Sequence, residues 1–471
     1  MRRSARDTEY SARRISRRTM IVAGAQAGVL GVLALRMRQM QVEEADRFRL
    51  LAEENRIAIR LLPPARGMIY DRHGTILAAN EQNYRVVVVR EDAGDVAAVL
   101  ARLKELIGLS DDDVERALRE VGRRSPFVPI AVAERLNWED VAKVASNAPA
   151  LPGVFPEVGL SRHYPLGPDF AHVVGYVGPV SEADLARLED PDPLLQIPRF
   201  QIGKVGVEAR MEDVLRGSAG SRRIEVNAVG RVIRELDRQE GQPGADVQLT
   251  IDARLQNYVQ VRLGEESAAA VVMDVTSGDL LAIASSPGFD PNLFVRGISV
   301  ADYRALTEND HRPLATKTVQ GAYPPGSTFK MVTALAALEA GLVTPDETVR
   351  CPGHLDVSGN RFHCWRGGGH GSVNLARSLV ESCDVYYYEI AQRAGIDRIH
   401  AMAGLLGLGQ RYDMPLSAIS EGLNPSREWK RARRGQEWRI GDTINAAIGQ
   451  GYVLSTPLQL AVMTARLATN R

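Results

Sequence analysis

Ser327 and Lys330 are the residues of this 471-residue chain whose types and spacing first suggest a reaction. A serine hydroxyl is a weak nucleophile at neutral pH and needs a base within hydrogen-bond reach. Lys330 stands three residues on, which in a helix is one turn away on the same face. Tyr323-Pro324-Pro325-Gly326 breaks whatever precedes, because proline fixes its own φ and has no N–H to give. The amphipathic run over 327–340, closed by Gly341, then predicts a helix. A serine at such a start sits beside unpaired backbone N–H groups, which favour negative charge on its oxygen. A lysine whose ammonium is destabilised by burial would serve as the base. The competing use of the same residues is a capped helix carrying an exposed lysine.

A second group lies downstream. Ser382-Cys383-Asp384 interrupts two helical stretches, 373–381 and 385–393. All three cysteines of the chain fall between 351 and 383, with His354, His363 and His370 among them. Zinc takes four such ligands, and three thiolates with one imidazole is a known structural set. Cys351, Cys364, His370 and Cys383 are the predicted ligands of a structural Zn2+, with His363 as the alternate imidazole. Their spacing is not that of a standard finger. One disulfide, Cys351–Cys364, beside a buried Cys383, or three free thiols, would use the same residues differently.

Elements must hold these groups, and the length suggests roughly three domains. With 58 basic and 58 acidic residues, nothing marks the chain as a nucleic-acid binder. Residues 1–18 carry seven arginines against Asp7 and Glu9, and residues 19–35 are uncharged. Such a run is at the short end of the length that spans a bilayer. A basic flank places the N-terminus in the cytoplasm. The expected plan is a basic arm over 1–18, a transmembrane anchor over 19–36, a stalk and pedestal domain over 37–245, and a second domain over 246–471. The stalk is expected to open with a helix-compatible stretch over 37–55. Asp71–Gly74 reads as a hairpin turn, 84–90 as a strand, and 95–122 and 137–147 as amphipathic helices. Residues 247–251 read as a strand, Asp252 as a helix cap, and 268–275 with 279–284 as a second hairpin.

Several strings carry a resemblance. They are Gly321-Ala322-Tyr323-Pro324-Pro325-Gly326-Ser327-Thr328-Phe329-Lys330, the run from Arg66 and Gly67 through Asp71-Arg72-His73-Gly74 to Leu77-Ala78, Arg162-His163-Tyr164-Pro165, the run from His172 to Gly178, Gly203-Lys204-Val205-Gly206-Val207-Glu208, and Leu215-Arg216-Gly217. Together they resemble the class B penicillin-binding proteins, the monofunctional peptidoglycan transpeptidases. S-x-x-K is a known signature of that chemistry. The S-x-D form of the second motif, the Cys-rich insert and Arg427-Glu428-Trp429-Lys430 are most similar to the elongation-specific branch.

The resemblance implies a membrane-anchored, multidomain α+β chain. Its pedestal domain would carry an α/β transpeptidase domain with a central antiparallel sheet flanked by helices. It implies Ser327 as nucleophile and Lys330 as base. Ser382 would relay protons, and Asp384 would hold Lys330 or the substrate. The substrate would be the D-Ala-D-Ala end of peptidoglycan stem peptides, and β-lactams would be trapped at the same step. A shape-elongation glycosyltransferase and associated elongation proteins are the implied partners. The implied location is the inner membrane, single-pass, with the bulk of the chain periplasmic. No cofactor is implied for the acyl transfer itself. The family's third motif, K-T-G or K-S-G on an edge strand, is not found, so a C-terminally truncated chain is expected, with the Ser327 N–H as the remaining oxyanion donor. A non-catalytic assembly scaffold, a membrane-anchored β-lactam sensor and a β-lactamase are the competing expectations.

Overall fold

The computed structural model describes residues 5–39, 57–123, 126, 129–197, 200–227, 232–295 and 297–470. Helix α1 (Ala5–Arg38) carries the basic arm and the apolar run as one continuous element, with no proline to break it. Thr19–Arg38 is long and apolar enough to cross a membrane, with mean hydropathy 1.7 and none of it buried against the rest of the chain. The stalk expected over 37–55 lies almost wholly outside the described residues.

The pedestal is built on two larger sheets and a two-stranded one, in which β6 (Tyr176–Pro179) pairs antiparallel with β7 (Gln201–Val205). Strand β1 (Ile57–Leu62) is joined antiparallel to β8 (Gly220–Val226), which pairs with β9 (Val232–Gln239). The second sheet starts from β2 (Ile69–Tyr70) and β3 (Ile76–Val88), joined by the predicted Asp71–Gly74 turn. Asp71 stabilises that turn by accepting from the N–H groups of His73 and Thr75 at 2.8 and 2.7 Å. β3 is longer than the strand expected over 84–90, because β4 (Ile130–Leu136) and β5 (Val154–His163) pair along its two edges. Helices α2 (Val96–Ile107), α3 (Asp111–Arg123) and α4 (Trp138–Ser146) answer the two amphipathic stretches. Gly108 splits the first, its left-handed φ of 69° ending α2. Leu100, Leu103, Val121 and Val144 form the core between these helices and the sheet.

The motif residues of the pedestal meet at one buried carboxylate. Glu208, fully buried, receives Arg66 at 2.6 Å, Arg162 at 2.7 Å and the Tyr164 hydroxyl at 3.2 Å. A buried carboxylate so surrounded ties three distant segments together. Gly203 is required there, since a Cβ would lie 2.0 Å from the Glu208 carbonyl oxygen.

Strand β10 (Val247–Gln248) is only two residues long, shorter than expected, and pairs parallel with β2. The segment just past residue 245 therefore still belongs to the pedestal sheet. Asp252 caps α5 (Ala253–Leu263), accepting from the N–H groups of Arg254 and Leu255. β11 (Ala268–Met273) and β12 (Leu280–Ser286) form the predicted hairpin, antiparallel and packed against α5.

The second domain's larger core surrounds helix α6 (Lys330–Glu339), which packs on α8 (Asp384–Leu405). The insert between them contains β13 (Val349–Cys351), the hairpin β14 (His354–Val357) and β15 (Asn360–His363), and β16 (Gly371–Val373), which pairs with β13. Val373 is thus a strand residue rather than the first residue of a helix. It is fully buried opposite Val349, and the helix starts later, as α7 (Leu375–Val380) capped by Asn374. The helix expected over 385–393 runs on to Leu405, across a kink at Gly395. Helices α9 (Arg427–Arg434), α10 (Ile440–Ala447) and α11 (Pro457–Thr469) complete the described chain.

Candidate active site

Ser327 lies in a tight 3₁₀ turn, Gly326–Phe329, that leads directly into α6. Phe329 anchors the turn in the core at 1% exposure. Two strips brace it from behind. The Gly326 N–H donates to the Gly449 carbonyl at 3.0 Å, and Tyr323 and Ser455 exchange two backbone bonds of 2.9 Å. Gly449 is needed: it has φ +70°, and a Cβ there would sit 2.4 Å from the Gly326 carbonyl oxygen. Thr333, one turn beyond Lys330, donates to the Ala447 carbonyl at 2.8 Å.

Lys330 is buried, at 1% exposure, and its Nζ meets three acceptors. These are the Ser382 carbonyl at 2.8 Å, Ser382 Oγ at 2.9 Å and Asp384 Oδ1 at 2.7 Å. An ammonium has three protons, so the site is matched to that form in number. Tyr387 lies below, its ring centre 5.6 Å from Nζ. Burial pushes the Tyr387 phenol up to about 12, so it stays neutral. Ser382 Oγ is also 2.9 Å from Ser327 Oγ. The order Ser327–Ser382–Lys330–Asp384 is therefore one continuous hydrogen-bonded path. Ser382 itself is strained, with φ +50°, an uncommon conformation for a residue with a Cβ.

The four expected metal ligands also converge. Their ligand atoms in Cys351, Cys364, His370 and Cys383 all lie within 4.8 Å of one another, and all four residues are buried. His370 Nδ1 is 3.6 Å from the Cys351 sulfur and 3.5 Å from that of Cys364. A tetrahedral zinc with the usual bond lengths sets sulfur and nitrogen ligands about 3.6 Å apart, so the spacing fits. His370 Nε2 faces Glu381 at 3.9 Å, where a ligand imidazole usually finds a carboxylate. The thiols are free, with no disulfide between Cys351 and Cys364. His363 is outside the cluster, in β15 opposite His354. Burial, and after it the neighbouring Cys351 and Cys364 sulfurs, push the Cys383 thiol far up, away from thiolate, so a cation would be needed to hold the charged form.

Trp365 is the residue that sequence reading passed over. Its backbone N–H donates to Asp384 Oδ2 at 3.0 Å, and its indole N–H reaches the Glu381 and Ser382 carbonyls, both at 3.1 Å. Its only signal in the sequence is its place directly after Cys364.

The Penicillin-binding Protein dimerisation domain matches residues 61–249, and the Penicillin binding protein transpeptidase domain matches residues 268–470. The chain is 39% identical to the peptidoglycan D,D-transpeptidase MrdA of Escherichia coli K12 over 434 residues, 92% of this chain and 69% of that one. Its fold is similar to that of PBP2 from Helicobacter pylori, solved in complex with MreC. The TM-score there is 0.78 at 30% identity, covering 88% of this chain and 78% of the other. A peptidoglycan synthase complex that coordinates polymerization and crosslinking matches with TM-score 0.67 at 32% identity, over 96% and 77%. Two domain matches spanning pedestal and catalytic halves, with relatives at this identity, show that the chain belongs to the class B penicillin-binding proteins.

Proposed function

We propose that this chain is a peptidoglycan D,D-transpeptidase that cross-links stem peptides through a serine acyl-enzyme during cell elongation. The observation that carries the reading is the unbroken path Ser327–Ser382–Lys330–Asp384 at the head of a buried helix. Ser327 Oγ attacks the carbonyl of the penultimate D-alanine. Its proton passes through Ser382 Oγ to Lys330, which acts as base in its neutral form. The developing oxyanion faces the Ser327 N–H, one of the unpaired donors of a helical first turn. The C–N bond breaks, D-alanine leaves with the proton returned to its nitrogen, and an ester remains on Ser327. The amine of a second stem then attacks the ester, an amide forms, and Ser327 recovers its proton. Asp384 keeps Lys330 on this path and offsets its charge when protonated. A β-lactam reacts at the same step, but its leaving nitrogen stays tethered and the ester persists.

The Cys351, Cys364, His370 and Cys383 set fits a structural zinc. It would supply no acyl-transfer chemistry. It would fix the insert against the loop that carries Ser382 and Asp384. Thr19–Arg38 serves as a single-pass inner-membrane anchor. The arginine-rich arm keeps the N-terminus cytoplasmic and the remainder periplasmic. Partners of the elongation type, a glycosyltransferase among them, fit the likeness to the MreC-bound and synthase-complex relatives.

The direct test supplies a stem pentapeptide ending in D-Ala-D-Ala together with an amine acceptor. D-Alanine release stoichiometric with amide product is expected, and is expected to vanish in Ser327→Ala. Amide formation that persists in Ser327→Ala would end the proposal.

A further inference from the structure

Ser382 holds a conformation that L residues avoid, at a point where both its hydroxyl and its carbonyl face Lys330. Such a residue is disfavoured against the extended or helical alternatives, so something must over-determine it. From inside, Lys330 Nζ takes the Ser382 carbonyl at 2.8 Å. From outside, the Trp365 indole N–H takes the same carbonyl at 3.1 Å, and that of Glu381 at 3.1 Å. The Trp365 backbone N–H takes Asp384 Oδ2 at 3.0 Å, while the other carboxylate oxygen receives Lys330. One residue therefore touches the turn on both sides of Cys383. The residue is 66% exposed, so apolar burial does not explain its placement. Its orientation comes from edge contact with His370, ring centres 5.4 Å apart, and from its bond to Cys364 in the buried cluster.

We infer that Trp365 is a positioning residue for acylation, clamping the Ser382–Asp384 turn so that Ser382 Oγ stays between Ser327 and Lys330. The inference rests on the transpeptidase reading of the same site. The physical reason is a count of donors. Lys330 as an ammonium serves all three of its acceptors, but once it gives a proton away it has two hydrogens and a lone pair. With that lone pair turned to the Ser382 hydroxyl, the two hydrogens still serve the Ser382 carbonyl and Asp384. Lys330 then grips the turn with one donor fewer, and the Trp365 N–H groups on the Ser382 carbonyl and on Asp384 Oδ2 hold it in place from outside.

The test follows the full-length chain with a fluorescent penicillin over a concentration series, which separates the acylation rate constant at saturation from the preceding dissociation constant. Trp365→Phe keeps an aromatic ring beside His370 and removes the indole N–H together with the five-membered ring that carries it. It is expected to lower the saturating rate about tenfold or more, with the dissociation constant changed by less than about twofold. Its melting temperature is expected within about 2 °C of the parent's. Replacing the indole nitrogen by sulfur, with benzothienylalanine at 365, keeps the ring shape and should give the same split if Trp365→Phe folds poorly. An unchanged saturating rate, or a loss confined to the dissociation constant, overturns the inference. A parent chain that fails to acylate, or an acylating Ser327→Ala, would instead strike the transpeptidase reading.

Discussion

Ser382 is the residue on which the site's geometry turns. It accepts from Lys330, contacts Ser327 and does so in a left-handed conformation with φ +50°. Ser382→Gly removes the hydroxyl but suits that conformation better than serine does. Acylation by penicillin should fall by about 10²–10⁴, the span of a lost proton-transfer group. Thermal stability should hold or rise slightly, by about 0.5–1 kcal/mol at most. Stopped-flow labelling beside calorimetry checks both, and a variant that acylates normally would remove Ser382 from the proton path. Ser327, Lys330, Ser382 and Asp384 were all legible in the sequence, because their motif strings are short and local. Trp365 was not, since an exposed tryptophan in a Gly-rich insert gives no periodic signal. Only the folded insert sets its N–H groups against a loop seventeen to nineteen residues on.

At the scale of elements, the insert and the helix pair work as one unit. β13 and β16 bring Cys351 and Gly371 opposite each other, and so put His370 beside the cysteine. Cys383 enters at the N-cap of α8, between Ser382 and Asp384. A metal bound here joins insert to catalytic loop, so its removal should be felt at both. Purified under thiol protection, the chain is expected to hold about one zinc. Chelation should lower the unfolding midpoint and the penicillin acylation rate together. Less than about half an equivalent of metal in thiol-protected protein would count against the site. The elements themselves were read well where a turn or cap fixed an end, as at Asp252 and Gly341. They were read poorly where a partner strand decided the outcome. Val373 has a helical neighbourhood in sequence, yet pairing with Val349 makes it a strand. β10 looked like a full strand, yet only Val247 and Gln248 find a partner on β2.

At the scale of the whole molecule, the pedestal and the second domain are tied by buried polar contacts. His172, in the pedestal, places Nε2 2.6 Å from the carbonyl of Pro313 in the second domain, and Tyr164 exchanges two bonds of 3.0 Å with Asn292. Burial lowers the His172 imidazole from 6.5 to about 4, so the folded chain holds it neutral and donating to Pro313. The unfolded chain takes up that proton first as pH falls below 6.5, so this part of the stability is intact above 6.5 and drains away as pH falls toward 4. Between pH 8 and pH 5 the loss should be about 2 kcal/mol. Denaturant melts at the two pH values measure it, and His172→Gln should lack that part of the change while keeping a donor for Pro313. Equal pH dependence in both proteins would contradict the assignment. The pedestal's motif strings were visible in the sequence. Their convergence on one buried Glu208 was not, because residues 66, 162 and 208 are far apart in sequence and no local pattern pairs them.

Ser327, activated through Ser382 and Lys330, is the proposed acyl-accepting group. Covalent labelling of the chain by a fluorescent penicillin, with Ser327→Ala beside it, is the decisive experiment. One label per chain, resistant to denaturation, is expected, and none in Ser327→Ala with an unchanged melting temperature. Labelling retained in the variant, or absent from a parent chain that melts cooperatively, would contradict that assignment.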